Sequence, residues 1–348
     1  MELWENSFGY SFGRVYVDAC TRSMFGRYTV RGRENIPSDG AVIFASNHCN
    51  TLMDALVILH EHRGPISFGA RFDIFRNPKV ASVLDWLKLV PLARNRDGAG
   101  ALKGNQAVFD RITDCLLHGA PFCIFPEGTH RAKRSLLPLK WGVCHIAVQT
   151  VQRSEVPVYI VPVGLDYVDY FDSARGVTVS FGKALCVNEF MASHPDPDGP
   201  VFTRDMLDEL SRRLSSLITF FPDDENYDAA FAAWDKARRG KRSFGGALVR
   251  LLGGVALLPL LAVCSVLGSP VWLPSEIVVG DMKDKVWSNT VRYGFRLVLT
   301  PLLVLVSAVL SFVFLPWWAA LGCIAAVCFA PRWFYLLLVY YKSIFRAI

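Results

Sequence analysis

The apolar tail constrains this chain most. Two stretches, Leu251–Leu273 and Leu297–Pro331, contain no Asp, Glu, Lys or Arg. Uncharged runs of that length belong in a bilayer. The first holds Gly253-Gly254, Pro259 and Pro270, which predicts a segment that is re-entrant or lies in the membrane interface. The second is too long for one span, with Pro316-Trp317-Trp318 near its middle. It predicts a helical hairpin with aromatics at the interface. Cations flank every outer end: Arg238 to Arg242, then Lys283, Lys285, Arg292 and Arg296, then Arg332, Lys342 and Arg346. The hairpin tip has none. The positive-inside rule therefore places these flanks on the cytoplasmic side. The 52% hydrophobic content and mean hydropathy of +0.29 come largely from this tail, and the remainder is long enough for a core of its own.

The net charge of +6 suits an anionic lipid surface or a phosphate-bearing substrate. No basic stretch interleaves with aromatics, so no nucleic-acid partner is expected. The 9 cysteines are odd in number, scattered and without a Cys-x-x-Cys pair. This argues for reduced thiols and against a disulfide framework or a zinc site. The start of the chain lacks an apolar core of signal-peptide length, so no cleaved signal is expected.

Ahead of the tail, apolar runs alternate with helical patterns, which is α/β organisation. Residues 1–27 read as an amphipathic interfacial helix: Trp4, Phe8, Phe12, Val15, Tyr16 and Ala19 recur at helical spacing beside Arg14, Arg22 and Arg27. A helix packed on its own domain fits the same pattern. Tyr28–Arg33 reads as an edge strand. Ala41–Ala45 is a buried strand leading into Ser46-Asn47-His48-Cys49-Asn50-Thr51-Leu52-Met53-Asp54.

A histidine and an aspartate on a strand-to-helix connection form the smallest general-base unit. The imidazole takes a proton near neutral pH and the carboxylate fixes its tautomer. The same residues also fit a capping box, with Thr51 and Asp54 doing no more than starting a helix.

Further on, a helix over Val80–Leu89 leads to Val90-Pro91-Leu92-Ala93-Arg94-Asn95-Arg96, where arginines past an apolar run suit phosphate. After a helix over Leu102–Leu117, the strand at Pro121 ends in Phe125-Pro126-Glu127-Gly128-Thr129-His130, followed by Arg131, Lys133, Arg134 and Lys140. Glu127 among these cations reads either as a site residue or as an ion-pair partner. Strands follow at Val156–Leu165 and Val177–Phe181, then a helix over residues 203–220. Three strand-end loops thus carry His/Asp, Arg/Arg and Glu with cations, which fits one site at the carboxyl edge of a sheet.

Four blocks in order resemble the glycerolipid acyltransferase family with a PlsC-type domain. They are Asn47-His48 with Asp54, Val90-Pro91-Leu92-Ala93-Arg94, Phe125-Pro126-Glu127-Gly128-Thr129, and Ile160-Val161-Pro162-Val163-Gly164-Leu165. The resemblance covers roughly residues 28–190 and implies a mixed central sheet flanked by helices. The expected organisation is an interfacial helix (1–27), a catalytic domain (28–243) and a membrane region (244–348). The implied reaction carries an acyl chain from a thioester, acyl-CoA or acyl carrier protein, to a hydroxyl, with no cofactor and no metal. On that analogy His48 deprotonates the acceptor, Asp54 orients His48, and Arg94, Glu127, Gly128, Thr129 and Arg131 hold the acceptor's phosphate.

The implied acceptor is 1-acyl-sn-glycerol 3-phosphate, giving phosphatidic acid at a cytoplasm-facing site. Glycerol 3-phosphate is the alternative, followed by an amino-acid lipid and a silent membrane scaffold. Two departures stand out. Five residues separate His48 from Asp54 where the family usually has four, a spacing that resembles a subset including fungal glycerol-3-phosphate acyltransferases. His130 also stands where the family's third block continues with Arg. Cys49 beside His48 reads as a packing residue.

Overall fold

The computed structural model describes residues 2–93, 97–98, 100, 104–194, 196, 199–239 and 244–345. They form two compact units. One comprises Met1–Asp18, Thr29–Asp166 and Thr178–Asp224; the other comprises Ala19–Tyr28, Tyr167–Val177 and Glu225–Ile348.

The first unit is built on an α/β pattern. In chain order the elements are α1 (Phe8–Ser23), β1 (Tyr28–Arg31), β2 (Ala41–Ser46), α2 (Leu52–Glu61), β3 (Ser67–Arg71), α3 (Pro78–Trp86), β4 (Leu89–Leu92), α4 (Asn105–Leu117), β5 (Phe122–Ile124), α5 (Gly142–Arg153), β6 (Val158–Tyr167), β7 (Val177–Phe181), β8 (Leu185–Cys186), α6 (Val187–Ala192) and α7 (Pro200–Leu217). The sheet order is β1-β7-β6-β2-β5-β3-β4, with β8 also on β6. Five neighbouring strands, β6-β2-β5-β3-β4, are parallel, and β8 runs antiparallel to β6. The sheet is therefore mixed, with β1 at one edge.

The sequence explains the centre of this sheet. All of β2 is buried, because a parallel strand with neighbours on both sides and helices on both faces sees no water; hence its unbroken apolar run. In register, Ala45 stands opposite Ile124 on one side and Pro162 on the other. The strands β2 and β5 thus end side by side, and the loops that follow them are neighbours.

Element ends shift where side chains capture backbone groups. Helix α3 starts at Pro78 rather than Val80, because the Asn77 side chain accepts from the amides of Lys79 (3.0 Å) and Val80 (3.4 Å). It stops short of Leu89, where Lys88 adopts a left-handed φ of 63°. The ammonium of Lys88, in a wholly buried residue, donates to the carbonyls of Glu5 (2.6 Å) and Glu2 (3.3 Å). It pins the N-terminal segment, whose Leu3 joins the core. Helix α7 covers Pro200–Leu217 instead of 203–220. Pro200 suits a helix start, and Phe202, Met206, Leu210 and Leu214 bury one face. The helix ends early because Asp166 takes both the amide (3.1 Å) and the hydroxyl (2.7 Å) of Thr219. On α1, Tyr10 packs edge-on against Trp86, while Phe8, Phe12 and Val15 are 88%, 72% and 71% exposed.

The second unit is mostly helical: α8 (Tyr227–Arg239), α9 (Phe244–Asp281), α10 (Ser288–Phe314) and α11 (Trp317–Phe345). Helix α9 runs 38 residues without a break, through Pro259, Pro270 and Pro274. It, α10 and α11 are all long and apolar enough to cross a membrane. Leu315 and Pro316 join α10 to α11, at the Pro-Trp-Trp position read as a hairpin turn. Helices α9 and α11 run antiparallel: Tyr340 donates to the Arg250 carbonyl (3.0 Å), and Trp272 stacks on Phe334 at 4.4 Å. The 167–177 excursion groups with these helices rather than with its chain neighbours. Its Ser173 amide and Tyr170 carbonyl both bond the side chain of Asn289, at 3.1 and 2.9 Å.

Candidate active site

His48 lies two residues past β2. Its Nδ1 is 2.8 Å from Asp54 Oδ2. Asp54 is fully buried, and the same oxygen accepts from the amides of Cys49 (2.8 Å) and Asn50 (2.7 Å). Three donors thus converge on one oxygen of a buried carboxylate. No capping box forms: Thr51 makes no side-chain cap bond at the start of α2. Asp54 instead turns back to the loop that carries His48. The loop closes through Thr51, whose φ of 50° is uncommon for a β-branched residue.

In the neutral ring with Nδ1–H donating to Asp54, Nε2 carries the lone pair. The Phe125 ring stacks on the imidazole at 4.2 Å and 19°, and His130 meets it edge-on at 5.4 Å. The side chain of His48 is 18% exposed. The site therefore offers an oriented, solvent-reachable base.

Glu127 is placed differently from the expectation that it holds substrate. It is 4% exposed, and both carboxylate oxygens are committed to backbone. One accepts from the His48 amide and the other from the Leu137 amide, each at 2.8 Å. Burial pushes its carboxyl above the usual range, and the amide bonds from Leu137 and His48 pull it back. Glu127 is a brace between the His48 loop and the loop after the Pro-Glu-Gly turn. Gly128 has φ 69°, so the turn suits glycine, and Gly128 and Thr129 are exposed at its tip.

Arg131 joins the site through its backbone, its amide donating to the His48 carbonyl at 3.0 Å. Its guanidinium reaches Ser135 Oγ (2.7 Å) and Asp223 (2.5 Å). Arg94 lies outside the described residues. The strand end before it is fixed, since the Asn105 side chain bonds both the amide and the carbonyl of Ala93 at 2.9 Å.

Several partners were not visible in the sequence reading. Asn47 uses its side-chain amide as a surrogate strand residue, bonding the Leu165 carbonyl (3.0 Å) and amide (2.7 Å). This ties the His48 loop to β6. Arg134, 4% exposed, pairs with Asp166 at 2.5 Å. An Asn directly after a buried strand was the available signal for the first; nothing local signals the second. Cys49 is buried. Burial pushes its thiol well up, and the Asp54, Glu127 and Asp166 carboxylates push it further. A thiol held that firmly protonated is no nucleophile.

Residues 27–166 match the family model described as Acyltransferase. Over 129 residues the chain is 31% identical to Glycerol-3-phosphate O-acyltransferase 1 of Saccharomyces cerevisiae. The match covers 36% of this chain and 17% of that protein, so the chain spans about a sixth of that relative's length. Among solved structures, the 1-acyl-sn-glycerophosphate (LPA) acyltransferase PlsC from Thermotoga maritima is similar, with a TM-score of 0.42 and 22% identity, covering 60% of this chain and 80% of that one. All the residues that orient His48 lie inside the matched segment. Asp223, which meets Arg131, lies beyond it.

Proposed function

We propose that this protein moves an acyl chain from a thioester to a hydroxyl of a glycerol phosphate. The observation that carries this reading is the imidazole of His48, fixed at Nδ1 by buried Asp54 and set beside a loop rich in cations. Nε2 takes the acceptor's hydroxyl proton as the oxygen attacks the thioester carbonyl. The tetrahedral intermediate collapses, the C–S bond breaks, and the imidazolium returns the proton to the leaving thiolate. Positive groups near the acceptor bind its phosphate and fix the hydroxyl against the base. As proposed, the reaction draws on no metal or further cofactor, because the thioester supplies the activation.

Two acceptors fit. In 1-acyl-sn-glycerol 3-phosphate the acyl chain is retained by the membrane, and the exposed Phe8, Phe12 and Val15 of α1 suit approach from a lipid surface. Glycerol 3-phosphate is favoured by the five-residue spacing between His48 and Asp54, together with the activity named for the yeast relative. The deciding experiment offers purified protein both acceptors and glycine, with a labelled acyl donor. Label in phosphatidic acid or in lysophosphatidic acid is expected; transfer to glycine alone, or to none, would sink the reading.

We also propose that α9 to α11 anchor the protein in the cytoplasmic membrane with the site facing the cytoplasm, on the strength of the cations around the apolar stretches. An epitope inserted at Lys283 should then be masked from outside in intact cells; surface labelling there would reverse the orientation.

A further inference from the structure

Two cation–carboxylate contacts sit on the Arg131–Arg134 stretch, and they are built differently. Arg134 is buried, and its partner Asp166 is anchored by the Thr219 amide and hydroxyl besides. That pair is fixed. The other joins Arg131 and Lys133 to a single carboxylate, Asp223. Here the side chains are 30%, 28% and 36% exposed, and Asp223 accepts from both cations. Asp223 lies between α7 and α8, on a segment tied to the cation loop by the Phe221 amide, which donates to the Arg134 carbonyl at 2.7 Å. Both cations hold its carboxyl below the usual range, Lys133 foremost. Arg131 itself is one backbone bond from His48.

We infer that Arg131 and Lys133 form a subsite for a phosphate monoester, and that Asp223 occupies it as an internal anion until the acceptor displaces it. A phosphate presents three oxygens and up to two charges to a guanidinium and an ammonium, where a carboxylate presents two oxygens and one charge. Half-exposed pairs are weak enough to exchange. Once displaced, Asp223 no longer holds the 221–224 segment on the loop. This rests on the glycerol phosphate reading above and adds to it a competing residue, which raises the acceptor's KM.

The test uses the full-length protein with whichever glycerol phosphate is turned over. Asp223→Asn should lower the acceptor's KM about three- to tenfold, leave the donor's KM unchanged, and tighten competitive inhibition by inorganic phosphate to a similar degree. Asp223→Glu, which keeps the anion, should stay near the unsubstituted protein. A second measurement needs no variant: inorganic phosphate should speed hydrogen exchange across residues 221–225. An acceptor KM unmoved or raised in Asp223→Asn, or exchange unchanged at phosphate concentrations that inhibit, overturns the inference while leaving the glycerol phosphate reading intact. If phosphate does not compete with the acceptor at all, and phosphate-free glycerol is acylated equally well, that reading falls and this one with it.

Discussion

Replacing His48 with alanine is expected to lower kcat by on the order of a hundred- to ten-thousand-fold, the span of a lost general base. The KM of neither substrate should change greatly, because the imidazole is placed to act on the hydroxyl proton rather than to bind. Asp54→Asn should be nearly as damaging although it keeps shape. An amide in place of the carboxylate cannot accept at once from His48 Nδ1 and from the amides of Cys49 and Asn50 with the same charge-assisted strength, and the neutral imidazole loses its fixed tautomer. The measurement is initial acyl-transfer rate against acceptor concentration, with near-ultraviolet circular dichroism as the check on folding. A His48→Ala protein retaining its full kcat would remove this residue from the chemistry.

Glu127→Gln is the second large effect, and it separates two roles for one residue. Both carboxylate oxygens accept backbone amides, and a glutamine has only one oxygen to offer. One amide would face an NH2 group and lose its partner, at about 1–3 kcal/mol of stability for a buried orphan donor. The His48 loop would then shift. Displacements of about 1 Å at a reacting group cost roughly a hundredfold, so kcat should fall by about that factor while the acceptor's KM stays close to its original value. A substitution that instead raises the acceptor's KM and spares kcat would return Glu127 to the role of phosphate ligand.

The His48–Asp54 contact was legible because its information is local. A buried run, a histidine and an aspartate six positions on can be read as a unit without knowing what lies across the sheet. The role of Glu127 was not legible in that way. Its residue type and its place at a strand end are visible in the sequence, but its burial beneath the His48 loop depends on β2 and β5 being neighbours. Asp223 went unread for the same reason. In the chain it is one acidic residue in a Pro-Asp-Asp-Glu-Asn helix break; only the packing of α7 carries it to Arg131, 92 residues earlier. The apolar stretches of the tail were legible from composition, since an uncharged run needs no tertiary partner to declare itself. The continuity of α9 was not, because Pro and Gly that would break a helix in water are tolerated in apolar helices.

The bonds that finish the site reach far along the chain. Glu127 is 79 residues downstream of the loop it braces, and Leu165 is 118 beyond the asparagine it holds. A nascent polypeptide that has emerged only through α4 already contains both members of the dyad and the Cys49 and Asn50 amides, but not Glu127 or Leu165. Since β2 takes its two neighbours from much later in synthesis, assembly is of high contact order and correspondingly slow. Incomplete chains therefore carry His48 and Asp54 without the distant bonds that complete their setting.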